Sequence, residues 1–422
     1  MLPGLAHLAR TVCSEAPACG GCEVRRFCRT GRAQARSGTD GSVAFLDLFC
    51  GAGGLSLGLE AHGFAPALAV DTDRAALETY AFNRPELSIS AVRVGDVRHL
   101  TARDLPSVRV VVGGPPCQGY SNANKQRLDQ DPRNELFREF VRCARESRAT
   151  VCLLENVPGI RSRERDLAAA FVDAGFVPSV YELDTADFGY PQSRKRVFWL
   201  GLRVPNHLIV TQIHERFGEV LRERRAGVIR SFALIDAIKD LPALEPKTLR
   251  NSTSVENERW GFTIGAKHLA ATPYAVLVNG ARRVGPLFNH RSKFNNARDI
   301  EIYSRLSPGE GSDARIIADI MPYKRRRGIF KDKFFKLVPD RPSKTITAHM
   351  YYDCHMYVHP FQPRGLSPRE AARVQGFPDD YLFLGWPNEW YRQVGNAVSP
   401  LAAWHVGRAL KVILGAFERW LA

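Results

Sequence analysis

The chain of 422 residues has no long apolar run. Runs such as Val108–Val112 and Val151–Leu154 fall far short of the ~20 apolar residues a membrane-spanning helix needs. A basic start followed by an apolar stretch is also missing, so no secretory signal is read and a cytosolic location is expected. Acidic residues are in deficit: 44 Asp+Glu face 59 Lys+Arg, a net charge of +15. That imbalance favours a polyanionic partner, usually nucleic acid, over a neutral or basic one. A basic soluble protein without such a partner stays open on charge alone. The cysteines number nine, an odd count, which argues against a disulfide framework and for metal-binding or catalytic thiols. No internal repeat is visible. What the chain does have is 45% apolar residues, enough for a sizeable core, in a length that suits two or three domains.

Four cysteines lie within residues 1–30. Residues 29–42, RTGRAQARSGTDGS, are rich in Gly, Ser and Arg and read as a linker; the boundaries taken are 1–30 for the cysteine segment and 31–42 for the linker. From Val43 short apolar runs alternate with helical stretches. Strands are expected at Val43–Phe49, Ala67–Val70, Val108–Val112, Val151–Leu154 and Val197–Leu202, and helices at Leu55–His62, Arg74–Asn83 and Glu135–Arg148. This alternation predicts an α/β fold, a doubly wound and mainly parallel sheet. After about residue 205 the rhythm gives way to polar loops, basic clusters (Arg222–Arg225, Lys324–Arg327) and single aromatics, which reads as a separate domain or large insertion to about 335. Order returns near Pro339, and Leu401–Leu421 has helical apolar spacing.

Four motifs carry chemistry. Asp47-Leu-Phe-Cys-Gly51-Ala-Gly53-Gly54 lies between a strand and a helix, where glycines allow a sharp turn and close approach of a ligand. Asp71, at the end of the next strand, is placed to bind ribose hydroxyls. Alone, these fit a dinucleotide site as well as an adenosylmethionine site. Gly113-Gly114-Pro115-Pro116-Cys117-Gln118-Gly119-Tyr120-Ser121 follows Val108–Val112, and in an open α/β sheet the carboxyl ends of strands line the active site. A cysteine in a Pro/Gly turn is poorly placed for core packing and well placed as a nucleophile once deprotonated. Glu155-Asn156-Val157-Pro158-Gly159 should stand beside it, with a carboxyl group able to donate a proton if burial raises its pKa. In Gln192-Ser193-Arg194-Lys195-Arg196, strand alternation puts Gln192, Arg194 and Arg196 on one face. Taken alone that run also reads as an ordinary charged strand face.

Together with RPSKTIT (341–347) and YRQVGNAVSP (391–400), in this order, the motifs resemble the cytosine-5 DNA methyltransferase family over roughly 43–205 and 335–422. The resemblance implies a Rossmann-like, S-adenosylmethionine-dependent enzyme acting on double-stranded DNA. It implies that Cys117 adds to carbon 6 of cytosine, that Glu155 is the acid at ring nitrogen 3, and that Arg194 and Arg196 contact the flipped base and organise the site. Phe49, Gly51, Gly53, Gly54, Asp71 and Asp96 would hold the cofactor, and Asn396 would lie near base and cofactor. Gln118, Ser121 and Gln192 are expected to face the substrate. A base inside a stacked duplex cannot react, so it must be flipped out; residues 118–134 are expected to close over it. On this reading 43–205 and 336–422 are the two parts of the catalytic domain, and 206–335 is the target recognition domain, whose basic clusters suit phosphate contacts. The family's bacterial setting implies restriction–modification or a related methylation system, with a restriction endonuclease acting on the same site. A monomer, nucleoid-associated when bound to DNA, is expected.

Cys13, Cys19, Cys22 and Cys28 give C-x5-C-x2-C-x5-C. Four thiolates suit zinc or an iron–sulfur cluster. The pattern resembles the four-iron–four-sulfur loop of the endonuclease-III-like glycosylases, C-x6-C-x2-C-x5-C, with a first gap one residue shorter here. An iron–sulfur cluster is the expectation, with zinc and unligated thiols as alternatives. Arg25, Arg26, Arg29 and Arg32 nearby would let such a loop touch DNA. Two other functions compete with DNA methylation. The tRNA cytosine-5 methyltransferases share the PPC, ENV and GN motifs, but their Cys-Phe-Thr signature is missing here. A DNA-binding homologue with a dead catalytic domain is opposed by the intact catalytic positions.

Overall fold

The computed structural model describes residues 42–116, 135–204, 206–228, 230–248, 272–280, 287–322 and 333–421. Cys117, Gln118 and Ser121, with the rest of 117–134, lie outside them, as do Cys13, Cys19, Cys22 and Cys28. The chain folds into two compact units. A sheet unit takes the described residues up to Phe188, then Arg194–Ile229 and the residues from Ala397 on; a helical unit takes Gly189–Ser193 and Arg230–Asn396.

The sheet unit opens with β1 (Val43–Leu48), α1 (Gly54–Glu60), β2 (Phe64–Asp71), α2 (Arg74–Phe82), β3 (Val92–Val94) and β4 (Val110–Gly113). It continues through α3 (Leu136–Glu146), β5 (Val151–Asn156), α4 (Glu164–Asp173), β6 (Val177–Asp184), β7 (Lys195–Leu202) and α5 (His207–Ala226). The helical unit carries α6 (Leu234–Ile238), α7 (Pro273–Asn279), α8 (Ala297–Arg305), α9 (Pro368–Gln375) and α10 (Pro387–Asn396). The chain ends in the sheet unit with α11 (Pro400–Leu421).

The seven strands lie in the order β3-β2-β1-β4-β5-β7-β6. β3, β2, β1, β4 and β5 run parallel, and β7 is antiparallel to both β5 and β6. Every residue of β4 and β5 is buried, as expected of parallel strands covered on both faces. α3 buries Leu136, Phe137, Phe140, Val141, Cys143 and Ala144, one stripe of a 3.6-residue period. α11 closes onto α1 at Gly58, where an added Cβ would lie 2.4 Å from Ala403. Order along the sheet reverses between β1 and β4, and such a switch point opens a crevice at the carboxyl ends of the strands. The glycine loop after β1 and the Gly-Gly-Pro-Pro turn after β4 both begin there.

The doubly wound sheet agrees with the expected fold. β3, β6 and α4 were not expected from apolar spacing, because their residues are half-exposed or their runs short. α5 is a 20-residue helix lying directly after residue 205, where polar loops were expected; it belongs to the sheet unit. Residues 336–396 group with the helical unit. Among the described residues, no helix is long and apolar enough to cross a membrane. Four described cysteines, Cys50, Cys143, Cys152 and Cys354, are buried free thiols. Burial pushes all four thiols up, Cys143 and Cys354 to about 12, so they are core residues and poor nucleophiles.

Candidate active site

The site is built on strand ends of the sheet unit. After β1 the chain turns through Phe49 (φ 57°), Gly51 (φ 52°) and Gly53 (φ 85°), three left-handed conformations in five residues. Phe49 adopts one without being glycine, a strained arrangement of the kind found at ligand sites. Nothing lies within 4 Å of a Cβ built on Gly51, so that face of the loop is open. Gly54 is the buried first residue of α1.

Asp71 ends β2 and stitches the loop from the neighbouring strand. Its Oδ2 accepts from the Gly51 amide at 2.8 Å and its Oδ1 from the Asp73 amide at 2.8 Å. Burial pushes its carboxyl up against these hydrogen bonds. Asp96 follows β3. It caps the turn Val97–His99 through the Arg98 amide at 2.9 Å and pairs with the Arg98 side chain, which holds its carboxyl below the usual range.

β4 and β5 bring the second half of the site together. Gly113 pairs in register with Leu48 and Leu154. A Cβ there would lie 2.4 Å from the Leu48 carbonyl, so only glycine fits. On Gly114 a Cβ would lie 3.1 Å from Glu155 Oε2, so the turn passes directly over the carboxyl group. Asn156 clasps that turn: its Nδ2 donates to the Pro115 carbonyl at 3.0 Å, and its Oδ1 accepts from the Val157 amide at 2.8 Å. Pro115 is two residues before Cys117. The antiparallel β7 returns its start to this same edge, with Asn156 opposite Val197 and Glu155 opposite Phe198. Arg196 therefore falls diagonally beside Glu155, and its Nε lies 2.8 Å from Glu155 Oε1. Glu155 is only 8% exposed, and burial pushes the Arg196 guanidinium down against the pull of that carboxylate.

Arg194 has a different setting. It is buried, donates from Nη2 to the Ala397 carbonyl at 2.8 Å, and its amide donates to Asp184 Oδ1 at 2.9 Å, so it ties the entry of β7 to the turn before α11. Gln192 lies in the helical unit, where Nε2 donates to Gln375 Oε1 at 2.8 Å and Oε1 accepts from the Ile346 amide at 2.7 Å. Asn396 is the exposed last residue of α10. Sequence reasoning did not single out Asn156 as a clasp; its place after the glutamate at a strand end was the available signal.

The Gly-Gly-Pro-Pro turn, buried carboxyl, paired arginine and glycine loop thus gather at one end of one sheet. A profile of the C-5 cytosine-specific DNA methylase family matches residues 43–412. The chain belongs to that family. Methylation of DNA cytosine at carbon 5 is the activity of this enzyme. It is 32% identical to Type II methyltransferase M.DdeI of Desulfomicrobium norvegicum over 85% of this chain and 86% of that one. With Type II methyltransferase M.AgeI of Thalassovita gelatinovora it shares 31% over 87% and 99%. Among solved structures it resembles a prophage-encoded E. coli protein assigned as a DNA modification methyltransferase, with TM-score 0.66 and 27% identity over 89% of this chain and all of that one.

Proposed function

We propose that this methylase takes its methyl group from S-adenosylmethionine and transfers it to a cytosine flipped out of double-stranded DNA at one short sequence. The observation that carries the reading is the Glu155–Arg196 pair under the Gly114-Pro115 turn, with Asn156 holding the backbone two residues before Cys117. The Cys117 thiolate adds to carbon 6 of the cytosine. Glu155 supplies a proton at ring nitrogen 3, so that negative charge does not accumulate on the ring. Arg196 keeps the Glu155 carboxyl turned toward that atom, and Arg194 fixes the strand entry that carries Arg196. Carbon 5 becomes nucleophilic as the carbon 6 bond forms. Bound S-adenosylmethionine supplies an electrophilic methyl group on sulfonium. Loss of the carbon 5 proton to a base, with return of the nitrogen 3 proton to Glu155, then expels the Cys117 thiolate and restores the ring.

The residues around the glycine loop fit such a cofactor: open space at Gly51, a strained aromatic at Phe49, and a carboxylate at Asp71 that we assign to the ribose hydroxyls. Asp96, Gly53, Gly54 and Asn396 complete the proposed cofactor set, and Gln118, Ser121, Gln192 and Asn396 the substrate contacts. Residues 206–335 serve as target recognition domain between catalytic parts 43–205 and 336–422. The relatives named as Type II methyltransferases support a restriction–modification setting; a partner endonuclease for the same site and a monomeric enzyme are proposed with it. The test is methyl transfer from labelled S-adenosylmethionine to unmethylated genomic DNA and to tRNA, with modified cytosines mapped by bisulfite sequencing. Label in DNA at one short context is expected; label confined to tRNA would overturn the substrate.

Cys13, Cys19, Cys22 and Cys28 are proposed as ligands of an iron–sulfur cluster, with zinc as the alternative metal, because four thiols within sixteen residues suit four-thiolate ligation. Anaerobically purified protein is expected to contain about four iron and four sulfide per chain. One zinc without sulfide would select the alternative, and neither metal would end the proposal.

A further inference from the structure

At the Gly53 end of the glycine loop stands a side chain that no motif assigned. Arg84 follows the Asn83 C-cap of α2 and precedes Pro85. It is 2% exposed, and its guanidinium is gripped on three sides. Nη2 donates to the Gly53 carbonyl at 2.9 Å, Nη1 to the Tyr80 carbonyl at 3.2 Å, and Nε pairs with Glu60 at the end of α1. The Arg84 Cζ lies 3.9 Å from the centre of the Tyr80 ring.

Gly53 bears directly on this arrangement. A Cβ on it would lie 2.6 Å from Arg84 Nη1 and 2.7 Å from Tyr80 Cδ2. Arg84 and Tyr80 thus form the wall against which Gly53 rests. Tyr80 is itself held, its hydroxyl 2.7 Å from Ser56 Oγ, which donates to Asp47. The loop is therefore fixed at both ends by the β2–α2 segment: Gly51 by Asp71, Gly53 by Arg84.

We propose that Arg84 is a positioning residue for the cofactor, clamping the Gly53 carbonyl so that the loop keeps the shape in which Phe49 and Gly51 meet their ligand. The proposal rests on the reading of this loop as the S-adenosylmethionine site. Arg84 touches no reacting atom, so its loss weakens binding and leaves the chemical step alone. A lysine keeps the charge and loses the fork that reaches three acceptors at once.

The test is calorimetric binding of S-adenosylhomocysteine to wild type, Arg84→Lys and Arg84→Ala, beside steady-state kinetics and thermal melts. In Arg84→Lys the Kd for S-adenosylhomocysteine and the KM for S-adenosylmethionine are expected to rise about tenfold, as for one lost charge-assisted hydrogen bond. The kcat stays within about twofold. Millimolar guanidinium is expected to restore part of the affinity of Arg84→Ala; if that variant does not fold, Arg84→Lys decides. Wild-type Kd in Arg84→Lys, or kcat falling with the folded fraction at unchanged Kd, overturns the proposal. Failure of wild type itself to bind S-adenosylhomocysteine overturns the cofactor reading first, and is distinct from either.

Discussion

Cys117→Ser is expected to leave no detectable methyl transfer to DNA, while Glu155→Gln lowers kcat by about 10²–10⁴ and leaves KM for DNA within a few-fold. The two losses have different origins. A serine hydroxyl is a weak nucleophile without a neighbouring base, so the carbon 6 bond does not form. Glutamine preserves the shape of Glu155 and can still donate a hydrogen bond from its amide, but it cannot hand over a proton. Since Glu155 is buried and paired with Arg196, the change also removes the partner of a buried guanidinium. A purely structural Glu155 would show itself as a lower melting temperature with kcat per folded molecule intact. Single-turnover kinetics and melts on the same preparations separate these cases. Normal kcat in Glu155→Gln would remove the carboxyl from the mechanism and leave Arg196 as the group facing the ring.

Much of this site was legible beforehand because its chemistry is written in short, ordered motifs at strand ends. β1, β2, β4 and β5 announced themselves as short apolar runs, and their glycine, proline and acidic endings followed from what a crevice at a switch point needs. What was not legible depends on partners distant in sequence. Arg194 and Arg196 looked equivalent by strand alternation, yet one reaches the Ala397 carbonyl and the other Glu155. Gln192 lies two residues before Arg194 but has its hydrogen bonds to Gln375 and Ile346 in the other unit. Arg84 sits in no motif, and its acceptor Gly53 is 31 residues away. β6 escaped because its half-exposed residues carry no run of apolar side chains. Composition, in contrast, pointed the right way: a surplus of basic residues fits a protein that works on DNA.

The helical unit hid its organising feature in a sequence that looks like surface. Helix α9 reads PREAARVQ, and two arginines and a glutamate in eight residues suggest a solvated helix. All eight residues are buried. The signal was present in Ser367-Pro368 and Glu370, a capping box with proline at the first turn, but nothing local foretells what Arg373 meets. Its Nη2 donates to Asp379 Oδ2 at 2.6 Å, and its two Nη atoms reach the Asp240 carboxylate at 3.1 Å each. Asn279 donates to the same Asp379 at 2.8 Å, and the Tyr274 hydroxyl donates to the Arg373 carbonyl at 2.7 Å. One guanidinium therefore joins α9 to the turn after α6 and, through Asp379 and Asn279, to α7, which Tyr274 also ties to the Arg373 backbone. Removing it strands two buried carboxylates, a loss of about 3–5 kcal/mol. Arg373→Met is expected to lower the first thermal unfolding transition by roughly 10 °C. Arg373→Met combined with Asp240→Asn and Asp379→Asn should recover much of that loss, because the desolvated charges go with their partner. If Arg373→Met melts like wild type, the buried network does not hold the unit together, and the apolar contacts of α9 carry it instead.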